Sequence, residues 1–249
     1  MAQKHLILIH GFLENSSMWQ PLLDRVSKRE WNIQFVQIPG HGSHPNLPKE
    51  WTPQAYLHDL RSQITIGEGE KAFVIGHSMG GYLAAHLVQW MPEKISGLLL
   101  FHSKAGADEP EKVAARKKSI EAAKESKDLY VRTMITSLFN PEHREASHQA
   151  IEAQIAYAKE LSVDTIAASH TVMFSRTSAV EVLKNRSFSL FYFLGKKDPS
   201  LPADLMEKEL AELPGAVVYW TDLAAHMSHF ESPKEAGDFL QRILRTIDA

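Results

Sequence analysis

Six short apolar runs punctuate the chain: Leu6 to Ile9, Ile33 to Ile38, Ala72 to Ile75, Leu98 to Phe101, Phe188 to Leu194 and Val217 to Trp220. They are rich in Val, Ile, Leu and Phe and mostly lack the in-out alternation of a half-solvated strand. That pattern predicts strands covered on both faces. Between them lie helical patterns with recognisable punctuation. Thr52-Pro53 and Ser232-Pro233 each offer an N-cap followed by a proline at the first helical position, and Pro214-Gly215 stops the helical stretch from Pro202 to Leu213. Strands alternating with helices predict a mostly parallel six-stranded sheet with helices on both faces, joined by right-handed crossovers.

One interval breaks the alternation. From residue 104 to residue 186 there is no convincing strand, only amphipathic Ala/Glu/Lys-rich stretches such as Glu111 to Lys127 and Glu142 to Lys159. This predicts a helical cap over 104–186, inserted into a core formed by 1–103 and 187–249, although long decorated crossover helices would read the same way. Apolar stripes in this interval fall at Ile151, Ile155 and Ala158 and at Met134, Leu138 and Phe139. If part of that surface roofs a pocket, Met134 and Phe139 are candidates for contact with substrate.

Composition narrows the chemistry. The 249 residues carry 27 basic and 30 acidic side chains, with no like-charged block longer than Arg116-Lys117-Lys118. A nucleic-acid footprint or a polybasic membrane anchor is therefore not expected. The absence of cysteine excludes disulfides, thiolate metal sites and a cysteine nucleophile. The four apolar residues Leu6 to Ile9 are too few for a signal or membrane segment, so a cytoplasmic protein is expected.

The sharpest local signal is Gly76-His77-Ser78-Met79-Gly80-Gly81, directly after the third apolar run and directly before the apolar helical stretch Tyr82 to Met91. A tight strand-to-helix turn needs small flanking residues and lifts the Ser78 hydroxyl above the sheet at a helix N-terminus. There, free N–H groups and the helix dipole favour an oxyanion. The glycine spacing does not fit a dinucleotide or Walker loop, and no Lys-Ser/Thr follows. A second signal, His10-Gly11-Phe12, ends the first run, where the Phe12 N–H and that of Met79 could together meet a developing anion.

These motifs, with Pro39-Gly40-His41-Gly42, Leu194-Gly195-Lys196-Lys197-Asp198 and Ala225-His226-Met227 leading into Glu231-Ser232-Pro233, resemble the α/β-hydrolase family over nearly the whole length. The resemblance implies a Ser78–His226–Asp198 triad in the family's order, an oxyanion hole at Phe12 and Met79, no metal and no cofactor. It also implies a shortened sheet, since so few residues precede His5 that the family's two leading antiparallel strands are expected to be missing. Rival residues exist: His229 for the base, and Asp222 or Asp108 for the acid. His10, His41, His77, His86 and His102 form no metal-ligand spacing and are expected to brace turns or line the pocket, His102 and Tyr82 being pocket candidates. The implied activity is hydrolysis of carboxylic esters or thioesters of small, partly apolar acids. A carbon–carbon bond hydrolase or lyase, or a slow-turnover sensor, would use the same residues.

Overall fold

The computed structural model describes residues 4–247 apart from residue 28. All six expected strands are present: β1 (Lys4–Ile9), β2 (Trp31–Val36), β3 (Lys71–His77), β4 (Ile95–Phe101), β5 (Ser189–Gly195) and β6 (Val217–Thr221). They form one sheet in the order β2-β1-β3-β4-β5-β6, every pair parallel. The order reverses direction beside β1, so the carboxyl ends of β1 and β3 flank the point where open parallel sheets hold ligands.

Eleven α-helices are found among the described residues. Two lie ahead of the Ser78 turn, α1 (Gln20–Leu23) and α2 (Pro53–Ser62), and α3 (Met79–Leu87) starts immediately after it. The interval between β4 and β5 holds α4 (Pro110–Glu125), α5 (Lys127–Leu138), α6 (His148–Glu160), α7 (Val163–Ser175) and α8 (Val180–Lys184) and no strand among its described residues. The chain closes with α9 (Ala203–Ala211), α10 (Ser228–Glu231) and α11 (Pro233–Thr246).

The period of two along the strands sorts the core into two layers. Ile7, Ile9, Val74, Leu98, Leu100 and Tyr192 pack with α2, α3 and α9 on one face. On the other face Leu6, Leu8, Phe73, Ile75, Leu99 and Phe193 pack with α1 and with Phe239, Leu240 and Ile243 of α11. A third cluster joins Ala123, Val131, Ile135, Ile151, Ile155 and Ile166 of α4–α7, with Phe139 just past α5, to Leu13 and Met227 of the sheet's upper loops. Ile151, Ile155 and Ala158 thus hold the helical layer together.

Two sequence expectations need correction here. The second strand lies two residues earlier than its apolar run and, at the edge of the sheet, is only partly covered, with Phe35 left 38% exposed. Thr52 caps α2 as expected, its Oγ1 accepting the Ala55 N–H at 3.2 Å. Ser232 does not cap α11 with its side chain: it ends α10, its N–H donating to the Ser228 carbonyl at 2.9 Å, and its hydroxyl is left without a partner.

Candidate active site

Ser78 sits between β3 and α3 with φ 48° and ψ −116°, a conformation that L-residues avoid. Two glycines make it possible. A Cβ on Gly76 would land on the backbone of Gly80, and one on Gly80 would land on the His10 carbonyl, so the turn can close only over bare backbone. The strain is held from outside: the Ser78 N–H donates to the Phe101 carbonyl at 3.1 Å, and Ser103 Oγ donates to the Ser78 carbonyl at 2.7 Å. Met79 opens α3, where leading N–H groups have no partner within the helix.

A cavity of about 170 Å³ opens above this turn, and Ser78, His226, Phe12 and Tyr82 all face it. Its roof comes from the helical layer: Lys112 and Arg116 of α4, Met134 and Leu138 of α5, Met173 of α7. Met134 and Tyr82 both line this cavity. Phe139 does not. It ends α5 pointing away from the cavity, fully buried and stacked 6.3 Å from Phe230, and Leu138 takes the lining position instead.

His226 follows β6 on a loop fixed by its surroundings. Its N–H donates to the Leu138 carbonyl at 3.0 Å, and Glu231 accepts from the N–H groups of Ala225 at 3.0 Å and Asn140 at 2.6 Å. His226 Nδ1 donates to Asp198 Oδ2 at 2.6 Å. Asp198 is buried, which alone would push its carboxyl up, but the pull of His226 and the hydrogen bonds from His102 and His226 outweigh burial and hold it well below the usual carboxylate range. Its second oxygen accepts the Ser200 N–H at 2.8 Å.

His102 is another correction. It ends β4 as expected but is completely buried behind Asp198 rather than at the cavity wall. Its Nδ1 donates to Asp198 Oδ2 at 3.3 Å, and its Nε2 accepts from Ser228 Oγ at 2.7 Å. Burial lowers its pKa to about 3 against the opposing pull of Asp198, so the ring is neutral and serves to brace the carboxylate.

The rival residues are occupied elsewhere. Asp222 is exposed and pairs with Lys196 at 3.1 Å. Asp108 accepts from both Arg116 and Arg176. His229 is buried beneath the cavity with Nε2 3.1 Å from Glu14 Oε1.

Glu14 was not singled out by the sequence, because a lone carboxylate in a loop carries no local signal. It organises the floor of the site. Its Oε2 accepts the Gly11 N–H and His77 Nδ1–H, both at 2.7 Å, and His77 Nε2–H donates to the His226 carbonyl at 3.1 Å. With both nitrogens donating, His77 is an imidazolium. Burial alone would lower its pKa, but the Glu14 charge overcomes that and raises it. Two trios, Glu14–His77–His229 and His102–Asp198–His226, bring three potential ligand atoms within 4.8 Å of one another. Each is already knitted by proton-bearing contacts of 2.7 and 2.6 Å, so a cation would have to displace those protons.

Residues 6–237 match the alpha/beta hydrolase family. The chain is 32% identical over 118 residues to a pimeloyl-(acyl-carrier protein) methyl ester esterase of Neisseria meningitidis serogroup C, covering 46% of this chain and 44% of that protein. It is also 32% identical over 99 residues to the biotin biosynthesis bifunctional protein BioHC of Cellvibrio japonicus, covering 40% and 18% of the two. The chain spans less than half the length of these curated relatives. Among solved structures, an esterase from Thermogutta terrifontis aligns with a TM-score of 0.84 at 22% identity, over 100% of this chain and 92% of that one. An enol-lactonase from Burkholderia xenovorans LB400 aligns at 0.83 and 16% identity, over 99% and 92%. At such identities the structures speak for the fold alone, and it is the match across residues 6–237 that decides: the chain belongs to the alpha/beta hydrolase family.

Proposed function

We propose that this protein hydrolyses carboxylic esters by acyl transfer through Ser78. The observation that carries the reading is the strained Ser78 sharing one cavity with His226, whose Nδ1 is tied at 2.6 Å to a buried carboxylate. With Nδ1–H donated to Asp198, the lone pair of the His226 ring lies on Nε2, which makes that nitrogen the base. It takes the Ser78 proton as Oγ attacks the ester carbonyl carbon. The N–H groups of Phe12 and Met79 meet the resulting oxyanion. Collapse of the tetrahedral intermediate breaks the bond to the alcohol or thiol, which leaves with the proton from His226. Water, deprotonated by the same nitrogen, then releases the acid and restores Ser78.

The ester-cleaving names of the curated relatives support an acyl ester as substrate. The cavity favours short, partly apolar acyl groups, because Phe12, Met134, Leu138 and Met173 are among the apolar residues that line its small volume. The test is covalent labelling together with turnover. A fluorophosphonate should modify Ser78 and abolish hydrolysis of nitrophenyl acetate and butyrate, and Ser78→Ala should lower that turnover by several orders of magnitude without unfolding the protein. Undiminished hydrolysis by Ser78→Ala would refute the reading.

A further inference from the structure

The roof of the cavity carries more positive charge than the protein neutralises. Lys112 and Arg116 stand one turn apart on α4, so both point the same way, and both line the cavity above Ser78. Arg116 is buried and shares the single carboxylate of Asp108 with Arg176, whose Nη2 donates to it at 2.9 Å. Two guanidinium groups thus divide one negative charge. Lys112, half-buried, has no ion pair among the described residues; Glu109 and Glu111, its exposed neighbours in sequence, form none with it. The opposite wall does not help. His170 is held neutral by burial and by the Arg116 charge, its pKa lowered to about 3, and Glu14 is consumed by His77 in the floor.

A cation withdrawn from water without a counter-charge is costly, and the cost is recovered when an anion enters beside it. The hydroxyl-bearing residues Ser119 and Ser200 line the same cavity and add hydrogen-bonding capacity there. Resting on the ester-hydrolase reading above, we propose that the ester this enzyme cleaves carries a free carboxylate, held in the cavity by Lys112 and Arg116. The substrate class is then the half-esters of dicarboxylic acids, with the anion on the acid, or esters of hydroxy acids, with the anion on the alcohol. The apolar wall packs the methylenes between the two functional groups.

The experiment compares each anionic ester with a neutral partner of matched length. Monomethyl glutarate against dimethyl glutarate reports an anion on the acid, and acetoxyacetate against ethyl acetate reports one on the alcohol. In one of the two pairs, kcat/KM for the anionic ester should exceed its neutral match by about tenfold or more, the scale of one charge-assisted hydrogen bond. Lys112→Met should erase that preference, and Lys118→Met, a substitution on the exposed side of α4, should keep it. A neutral ester cleaved as well as the anionic one in both pairs, or a preference that survives Lys112→Met, would overturn the proposal while leaving ester hydrolysis intact. Should no ester be cleaved, free glutarate still decides. The proposal stands if glutarate raises the unfolding temperature of the wild type and not of Lys112→Met. It falls if glutarate acts on both alike or on neither.

Discussion

Replacing Glu14 tests whether the floor of the site is held by charge or merely by shape. Glu14→Gln keeps the volume and still offers an oxygen to the Gly11 N–H, now 2.7 Å from Glu14 Oε2. That oxygen also accepts from His77 Nδ1–H in the wild type, so in the variant it meets both donors without the charge that holds the imidazolium, and the amide nitrogen faces His229 Nε2 from the place of Glu14 Oε1. Burial alone favours the neutral ring, whose single N–H can serve the amide oxygen or the His226 carbonyl but not both, so one of the two hydrogen bonds is lost. The loss is then a charged hydrogen bond weakened to a neutral one and a second left unmade, about 2–3 kcal/mol. Glu14→Ala strands the Gly11 N–H and the His77 ring together and should cost about 3–5 kcal/mol. The sign of the pH dependence follows from the two shifts. His77 has a raised pKa, so its contribution is complete below its ordinary value of 6.5 and fades as pH rises through the folded value. Glu14 has a lowered pKa despite burial, because the charge of His77 outweighs it, so its contribution is complete above 4.5 and fades only in stronger acid. The gap between wild type and Glu14→Gln, measured by urea unfolding, should be widest near pH 5.5 and narrow by pH 9. A gap that stays constant from pH 5.5 to pH 9, or a Gln variant as unstable as the Ala variant, would show that the buried pair is not ionised.

The remaining expectations concern the base, the acid and the roof. His226→Ala should abolish ester turnover, whereas His229→Ala, which removes a ring packed 4.8 Å from His77, should lower stability and retain most activity. Asp198→Asn should cost roughly three to four orders of magnitude in kcat, and Asp222→Asn, with only an exposed pair to Lys196 to lose, should change nothing measurable. The reverse ranking in either pair, read from steady-state rates, would reassign the roles. Met134→Ala should shift the preferred acyl length while nitrophenyl acetate turnover stays within about tenfold. Phe139→Ala should instead lower stability by about 3–5 kcal/mol with an unchanged length profile, and a changed profile at full stability would contradict its burial against Phe230.

What the sequence made legible was whatever has a local physical signature. The strands announced themselves because β1, β3, β4 and β5 are covered on both faces, and the Ser78 turn because its closure forbids side chains at Gly76 and Gly80. The edge strand β2 is the exception: it is only partly covered, and its apolar run, Ile33 to Ile38, continues past Val36 into the following loop. Long-range pairings left no trace. Glu14 meets His77 across 63 residues and His102 meets Asp198 across 96, so nothing near either residue could disclose the partnership. Phe139 was misjudged because a stripe read from spacing says that a residue is buried without saying against what. Only the turn at the end of α5 decides that Leu138 faces the cavity and Phe139 faces Phe230.

The hydrogen bonds from His226 to Leu138 and from Asn140 to Glu231 bear on how such a molecule could be recombined with its relatives. They fasten the loop carrying His226 to the end of α5, at backbone atoms whose positions depend on the whole helical layer. A graft that exchanged the interval between β4 and β5 for a relative's would therefore replace half of the cradle that orients the histidine. A chimera would need to inherit Glu231 and the loop from Ala225 to Met227 from the same parent as α5. Otherwise it would fold with a foreign roof over a histidine whose loop has lost half of its anchoring.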